Sequence, residues 1–113
     1  MNMKQIISIY KQHFLESIEY AQLDFNKGDY TGAFLRASWA IRLLGDALLI
    51  SKGYYAPSTR HIMKILHLDN IQKRHDQYLA NPDEDEINQE DAEIALQEAK
   101  RLWVQAQDTR FLG

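Results

Sequence analysis

The chain has no cysteine, only two prolines and only five glycines among its 113 residues. The missing thiols exclude a disulfide scaffold, thiolate metal sites and a cysteine nucleophile. The scarcity of proline and glycine leaves few points at which regular structure has to break. Gly28, Gly32, Gly45, Gly53 and Gly113 nowhere approach the GxGxxG or GxxxxGKS spacing of a phosphate-cradling loop. No HExxH motif or other histidine pair at i, i+4 occurs: His61 and His67 are six apart, and His13 and His75 stand alone. No ExxH pair of the di-iron bundle type is present either, so neither a metal site nor a cofactor is expected. The few serines lack the setting of a nucleophile elbow.

Long apolar runs are also lacking. The opening residues 1–7 show no extended apolar stretch or small-residue cleavage site of a signal peptide. The most apolar segment, 33–50, is interrupted by Arg36, Arg42 and Asp46, too much charge for a membrane span. The expectation is one compact domain over residues 1–113, soluble and cytoplasmic, with no membrane contact.

What is present is an ordinary folding composition, with 45% hydrophobic and 26% charged residues, enough for a single modest core. The charge is unevenly spread. Residues 1–75 carry ten Lys/Arg against six Asp/Glu, and residues 76–113 carry three against ten. Eight of those acids fall between Asp83 and Glu98. A pI near 5.7 argues against a dedicated duplex binder, which would show a basic patch. The acidic run reads as a solvated loop followed by acids at a helix start, where the macrodipole favours them. An acidic face that docks the basic half of a second copy is the alternative.

Apolar residues recur at helical spacing along most of the chain. Met3, Ile7, Tyr10, Phe14, Ile18, Ala21 and Phe25 form a seam for a first helix from about Lys4 to Asn26. Gly28 supplies the stop and Asp29 the next cap. The second helix, Tyr30 to Lys52, has a seam at Tyr30, Phe34, Ala37, Ile41, Leu44 and Leu48, with further apolar residues at Leu35, Trp39, Leu43, Leu49 and Ile50. A helix apolar on most of its circumference is central or lies at a subunit interface. Pro57 and Ser58 predict the start of a short helix over Thr59 to Leu68. Asp69-Asn70-Ile71-Gln72 reads as a capping box opening another short helix to about Ala80. Asn88 then caps a last helix with a seam at Ala92, Ala95, Leu96, Ala99, Leu102, Trp103 and Ala106. The fold class is all-α: an antiparallel up-and-down helical bundle of three long helices plus two short ones.

The local cluster with most chemistry is Thr59-Arg60-His61-Ile62-Met63-Lys64-Ile65-Leu66-His67. Arg60, Lys64 and His67 at i, i+4 and i+7 would share one helix face while Ile62, Ile65 and Leu66 turn inward. His61 sits in the first turn. The face reads either as the wet side of an amphipathic helix or as a contact for an anion or nucleotide phosphate, aided by free amides at the helix start. Arg60, His61, Lys64 and His67 are thus the candidate ligand-binding residues.

Here the chain resembles a family. Lys27-Gly28-Asp29-Tyr30, Ala33-Phe34 and Ala37, Ala47-Leu48-Leu49, Gly53, Thr59-Arg60-His61-Ile62, Asn81-Pro82-Asp83 and Glu90-Asp91-Ala92-Glu93 follow in the order of similar short motifs in small stand-alone prokaryotic HEPN domains. The resemblance covers nearly the whole chain. It implies a helical module that dimerises and binds a nucleotide, a nucleic acid such as RNA, or a partner such as a minimal nucleotidyltransferase. Some members are metal-independent endoribonucleases, toxins of toxin–antitoxin pairs, that use Arg-x(4–6)-His late in the domain. No histidine follows Arg101 or Arg110, so that late motif is missing. Arg60 and His67 make the formal match, in the third helix rather than the last, and are the candidate catalytic pair if the chain is an enzyme. Further departures are Arg42-Leu43 for a frequent Glu-Lys pair, Ala80-Asn81 for Arg-Tyr, and Arg60 between Thr59 and His61. The sequence therefore favours a non-catalytic binding module over a ribonuclease or a purely structural oligomerising bundle.

The breadth of the apolar surface on the second helix carries a prediction. Sedimentation equilibrium at micromolar concentration is expected to give about twice the 13.2 kDa chain mass. A clean monomer would remove the homodimer from consideration.

Overall fold

A computed structural model describes residues 3–51 and 59–108. They form five helices: α1 (Met3–Asn26), α2 (Tyr30–Ser51), α3 (Thr59–Ile65), α4 (Asp69–Ala80) and α5 (Gln89–Asp108). No strand occurs among the described residues, so the all-α class follows from the helical spacing of the apolar residues. The expected cap at Ser58, the turn at Ala56-Pro57 and the stop at Gly53 lie outside the described residues.

Helix α2 is the centre, with α1, α5 and α3 all packed on it. Ala33, Ala37, Ala40 and Ala47 are fully buried on α2, and Ala92, Ala95, Ala99 and Ala106 are buried on α5, which packs against it. Small side chains let helix axes approach closely, and the larger Phe14, Phe34, Ile41 and Leu44 fill the space between them. The seams expected for α1 and α5 are the faces that turn inward; Trp103, half-buried, stacks on Phe14 with ring centroids 5.2 Å apart.

Among the described residues, two helix ends close with a residue in the left-handed region. After α1, Gly28 takes φ +82, as its lack of Cβ allows. The Gly28 and Asp29 amides bond back to the carbonyls of Phe25 and Asp24 at 3.0 and 2.9 Å. Asp29 Oδ1 then caps α2 by accepting from the Gly32 amide at 3.0 Å. After α3 the left-handed residue is His67, at φ +60. The His67 and Leu68 amides bond back to Lys64 and Met63 at 3.1 and 2.8 Å.

That second cap corrects three expectations. The third helix stops at Ile65 instead of Leu68, because the left-handed residue ends it and the chain goes directly into α4. Leu68 serves as the N-cap of α4 with no side-chain bond, so Asp69 lies inside the first turn and forms no capping box. Within α3 the inward residues are Ile62 and Met63, while Ile65 is 44% exposed.

The acidic stretch is solvated but anchored. Residues 82–86 are exposed, whereas Ile87 is buried in the core. Asn88 and Asp91 cap each other across the first turn of α5: the Asp91 amide donates to Asn88 Oδ1 at 2.8 Å, and the Asn88 amide donates to Asp91 Oδ2 at 3.2 Å. Arg74 of α4 binds the same carboxylate through Nε at 2.9 Å and donates from Nη2 to the carbonyls of Asp85 and Glu86. One guanidinium thereby ties α4, the acidic loop and the start of α5 together.

Gly45 marks where α3 crosses α2. A Cβ there would run into Cγ2 of the buried Ile62 and lie 3.2 Å from Leu66 Cδ1. Gly45→Ala is expected to lower stability by about 1 kcal/mol, a packing cost of about 1–3 kcal/mol offset in part by about 1 kcal/mol of helix propensity. Urea unfolding followed by circular dichroism measures it; an unchanged or raised midpoint would show that α3 yields at this crossing.

Candidate functional site

The structure disperses the cluster read from the sequence. Arg60 lies in α3, but its side chain is outside the described residues. His61 and Lys64 are exposed on α3. His67 is exposed too, but beyond the helix end, so it does not continue the face of Lys64. The shared face of Arg60, Lys64 and His67 is therefore broken, since helical spacing has meaning only while the backbone stays helical. Lys64 borders a shallow hollow with Asp69, Gln72, Lys73 and Asp76, a lining of mixed charge.

A better-formed concavity lies between α2 and α4. It has a volume of about 320 Å³, at the small end of the range for ligand pockets. Its α2 wall is Leu35, Ser38, Trp39 and Arg42, which fall at i, i+3, i+4 and i+7 on one face. Its α4 wall includes His75, Asp76 and Leu79, and Met63 and Ile71 supply buried apolar surface. The walls are mostly apolar. Trp39 and Leu79 are 50% and 59% exposed, large side chains left open at one cleft. The His75 ring stacks on Phe34 of α2 with centroids 6.4 Å apart.

The polar groups of this cleft are few and unusual. Ser38, mid-helix, is 7% exposed, yet its Oγ has no hydrogen-bond partner. Arg42 Nε is buried and likewise makes no hydrogen bond. Asp46, one turn on, stands 3.9 Å from that Nε, too far for a hydrogen bond. The Arg42 guanidinium lies 5.4 Å from the centre of the Trp39 ring, which fixes its approach to the cleft. On the facing wall Asp76 accepts from Gln72 Nε2 at 2.9 Å. A buried donor without a partner costs about 1–3 kcal/mol.

The α2 residues carried a signal in the sequence: a serine and an arginine inside a helix otherwise apolar on most sides. Their partners on α4 carried none, because nothing local says which face of α4 meets α2. No group of three or more metal-ligating side chains is gathered among the described residues, and no helix there is long and apolar enough to cross a membrane.

Fold and cleft together define an all-α protein with a small, mainly apolar pocket held between two helices. Compared with models of known families, with curated proteins and with solved structures, the chain matches none.

Burial raises the Asp46 carboxyl pKa above its ordinary 3.8, against the smaller lowering effect of Arg42. A raised native pKa means that the folded state holds the proton more tightly than the unfolded chain. The contribution to stability is complete below the ordinary carboxylate pKa and is lost as pH rises through the raised one. Asp46→Asn is therefore expected to gain stability over wild type at neutral pH and to lose that advantage in acid. Urea midpoints of both proteins across the carboxylate range measure this; a difference independent of pH would contradict it.

Proposed function

We propose that the protein is a non-catalytic binding module of the HEPN-like kind. On this reading residues 1–113 form one antiparallel up-and-down bundle that works as a cytoplasmic homodimer. Its partners are those the resemblance implies: a nucleotide, a nucleic acid or a protein such as a minimal nucleotidyltransferase. The observation that carries the binding reading is the mainly apolar α2–α4 cleft, where Trp39 and Leu79 are left exposed beside Ser38, whose hydroxyl makes no hydrogen bond, and Arg42, whose Nε has only Asp46 at 3.9 Å. Large apolar side chains left open at a concave surface with a few polar groups beside them are the ordinary setting of a small-molecule site.

The ribonuclease alternative needs Arg60 and His67 to act on one phosphate, the arginine stabilising charge and the histidine handling the proton or the 2′-hydroxyl. His67 ends α3 in the left-handed region with its amide bonded to Lys64, so the spacing of the two residues no longer implies a common helical face. That supports a binding role over cleavage.

Incubating the purified protein with a mixed RNA pool, without divalent metal, separates the two. No cleavage above background is expected from wild type or from His67→Ala. Cleavage by wild type that vanishes in His67→Ala would establish the ribonuclease and end the non-catalytic reading.

A further inference from the structure

The polar groups of the α2–α4 cleft narrow the chemistry of what it holds. Among the described residues its lining carries one permanent cation, Arg42, and one carboxylate, Asp76. Both are already engaged: Arg42 lies over the Trp39 ring with Asp46 at 3.9 Å, and Asp76 accepts from Gln72. Ser38 Oγ and Arg42 Nε are buried, with almost no surface for a ligand atom to touch. The lining therefore offers an ionised ligand no unbalanced charge, and removing that ligand's charge from water goes uncompensated. His75 is different. It lines the cleft half-buried, its ring stacks on Phe34, and it makes no hydrogen bond among the described residues. A neutral imidazole has one donor and one acceptor, so it pairs with a neutral hydroxyl in either direction. The remaining lining is apolar: Met63 and Ile71 are buried, while Trp39 and Leu79 stand open at the rim. A flat, rigid ring covers such a surface with little loss of conformational freedom. The volume of about 320 Å³ suits a small molecule rather than a chain segment.

We infer that the α2–α4 cleft binds an uncharged aromatic alcohol of the phenol class, its ring packed on Trp39 and Leu79 and its hydroxyl hydrogen-bonded to His75. The inference rests on the cleft being the protein's binding site and names, at that site, a ligand class other than the nucleotide that the family resemblance implies. Selectivity comes from both walls. His75 and Leu79, one turn apart on α4, set one hydrogen-bonding group beside an apolar contact. Asp76 on the same wall repels an anion. Arg42 already holds the position over Trp39 that a ligand cation would seek.

The test uses the whole purified chain with 2-naphthol, naphthalene, 2-naphthoate and adenosine monophosphate, read by calorimetric titration and by the two tryptophan indole N–H resonances. 2-Naphthol is expected to bind and to shift the Trp39 resonance while that of Trp103, stacked on Phe14, stays in place. Naphthalene is expected to bind roughly fivefold more weakly, since one neutral hydrogen bond is lost. 2-Naphthoate is expected to bind roughly tenfold more weakly or worse, since its charge is left without a partner. His75→Phe, which keeps a ring against Phe34, is expected to bring 2-naphthol down to the affinity of naphthalene and to leave naphthalene unchanged. Leu79→Ser changes an exposed residue and so spares the fold; it is expected to weaken both compounds roughly fivefold. Binding of 2-naphthoate as tight as that of 2-naphthol overturns the uncharged ligand. A preference for 2-naphthol that survives in His75→Phe overturns the hydroxyl contact, and a shift of Trp103 without Trp39 overturns the location. Binding of adenosine monophosphate that Leu79→Ser weakens, with no binding of 2-naphthol, defeats this inference while leaving the cleft as the binding site. Binding of none of the four compounds defeats both.

Discussion

The close approach of α2 to its neighbours is the constraint from which the rest follows. Alanines at positions 33, 37, 40 and 47, all fully buried, leave little side chain between α2 and the helices around it, and α5 buries four alanines of its own. Such an interface is tolerant of sliding unless larger groups key it, and Phe14, Phe34, Ile41 and Leu44 do so. Gly45 extends the same principle to the other side, where the Ile62 side chain of α3 occupies the space a Cβ would need. The covered faces of the central helix thus combine small residues with a few large ones, Phe34, Ile41 and Leu44, that are fully buried.

On the face of α2 turned to α4, the packing opens. Leu35, Trp39 and Arg42 replace alanine and glycine on the remaining face, and α4 meets it through the Phe34–His75 stack rather than through interlocked small residues. The cleft is the gap between those two modes of packing. Its position next to a rigid centre means that Ser38 and Arg42 are held by the best-buried helix of the protein, the setting in which donors keep their geometry. The cation–π contact of Arg42 with Trp39 adds a second restraint on the guanidinium.

The acidic half of the chain is organised by a different interaction. Repulsion among neighbouring carboxylates would leave residues 83–86 extended in water, and all four are exposed. Arg74 limits that freedom by binding two loop carbonyls and the Asp91 carboxylate together, while Ile87 enters the core. Asp91 serves at once as N-terminal cap, favourable charge at a helix start and partner of Arg74. Asp91 therefore joins α4 to the start of α5 within this one chain.

The sequence by itself determined the helices and most of their ends, because periodicity, Gly28, Asp29 and Asn88 act locally, through bonds within a few residues. It left α2 either central or at a subunit interface, since a helix apolar on most of its circumference has to be covered, and its packing against α1, α3 and α5 makes it central in the fold. The end of α3 was not legible: a histidine in the left-handed region is disfavoured locally, and it is held there by the capping bonds and by the burial of Leu68 just after it. The candidate residues of α3 shared a face only on the assumption of a longer helix. Which stripe of α4 faces Ser38 and Arg42, and that their donors stay unpartnered, only the tertiary structure decided. Those facts depend on the distance between helices far apart in sequence, which side-chain volumes on all the other contacts set together.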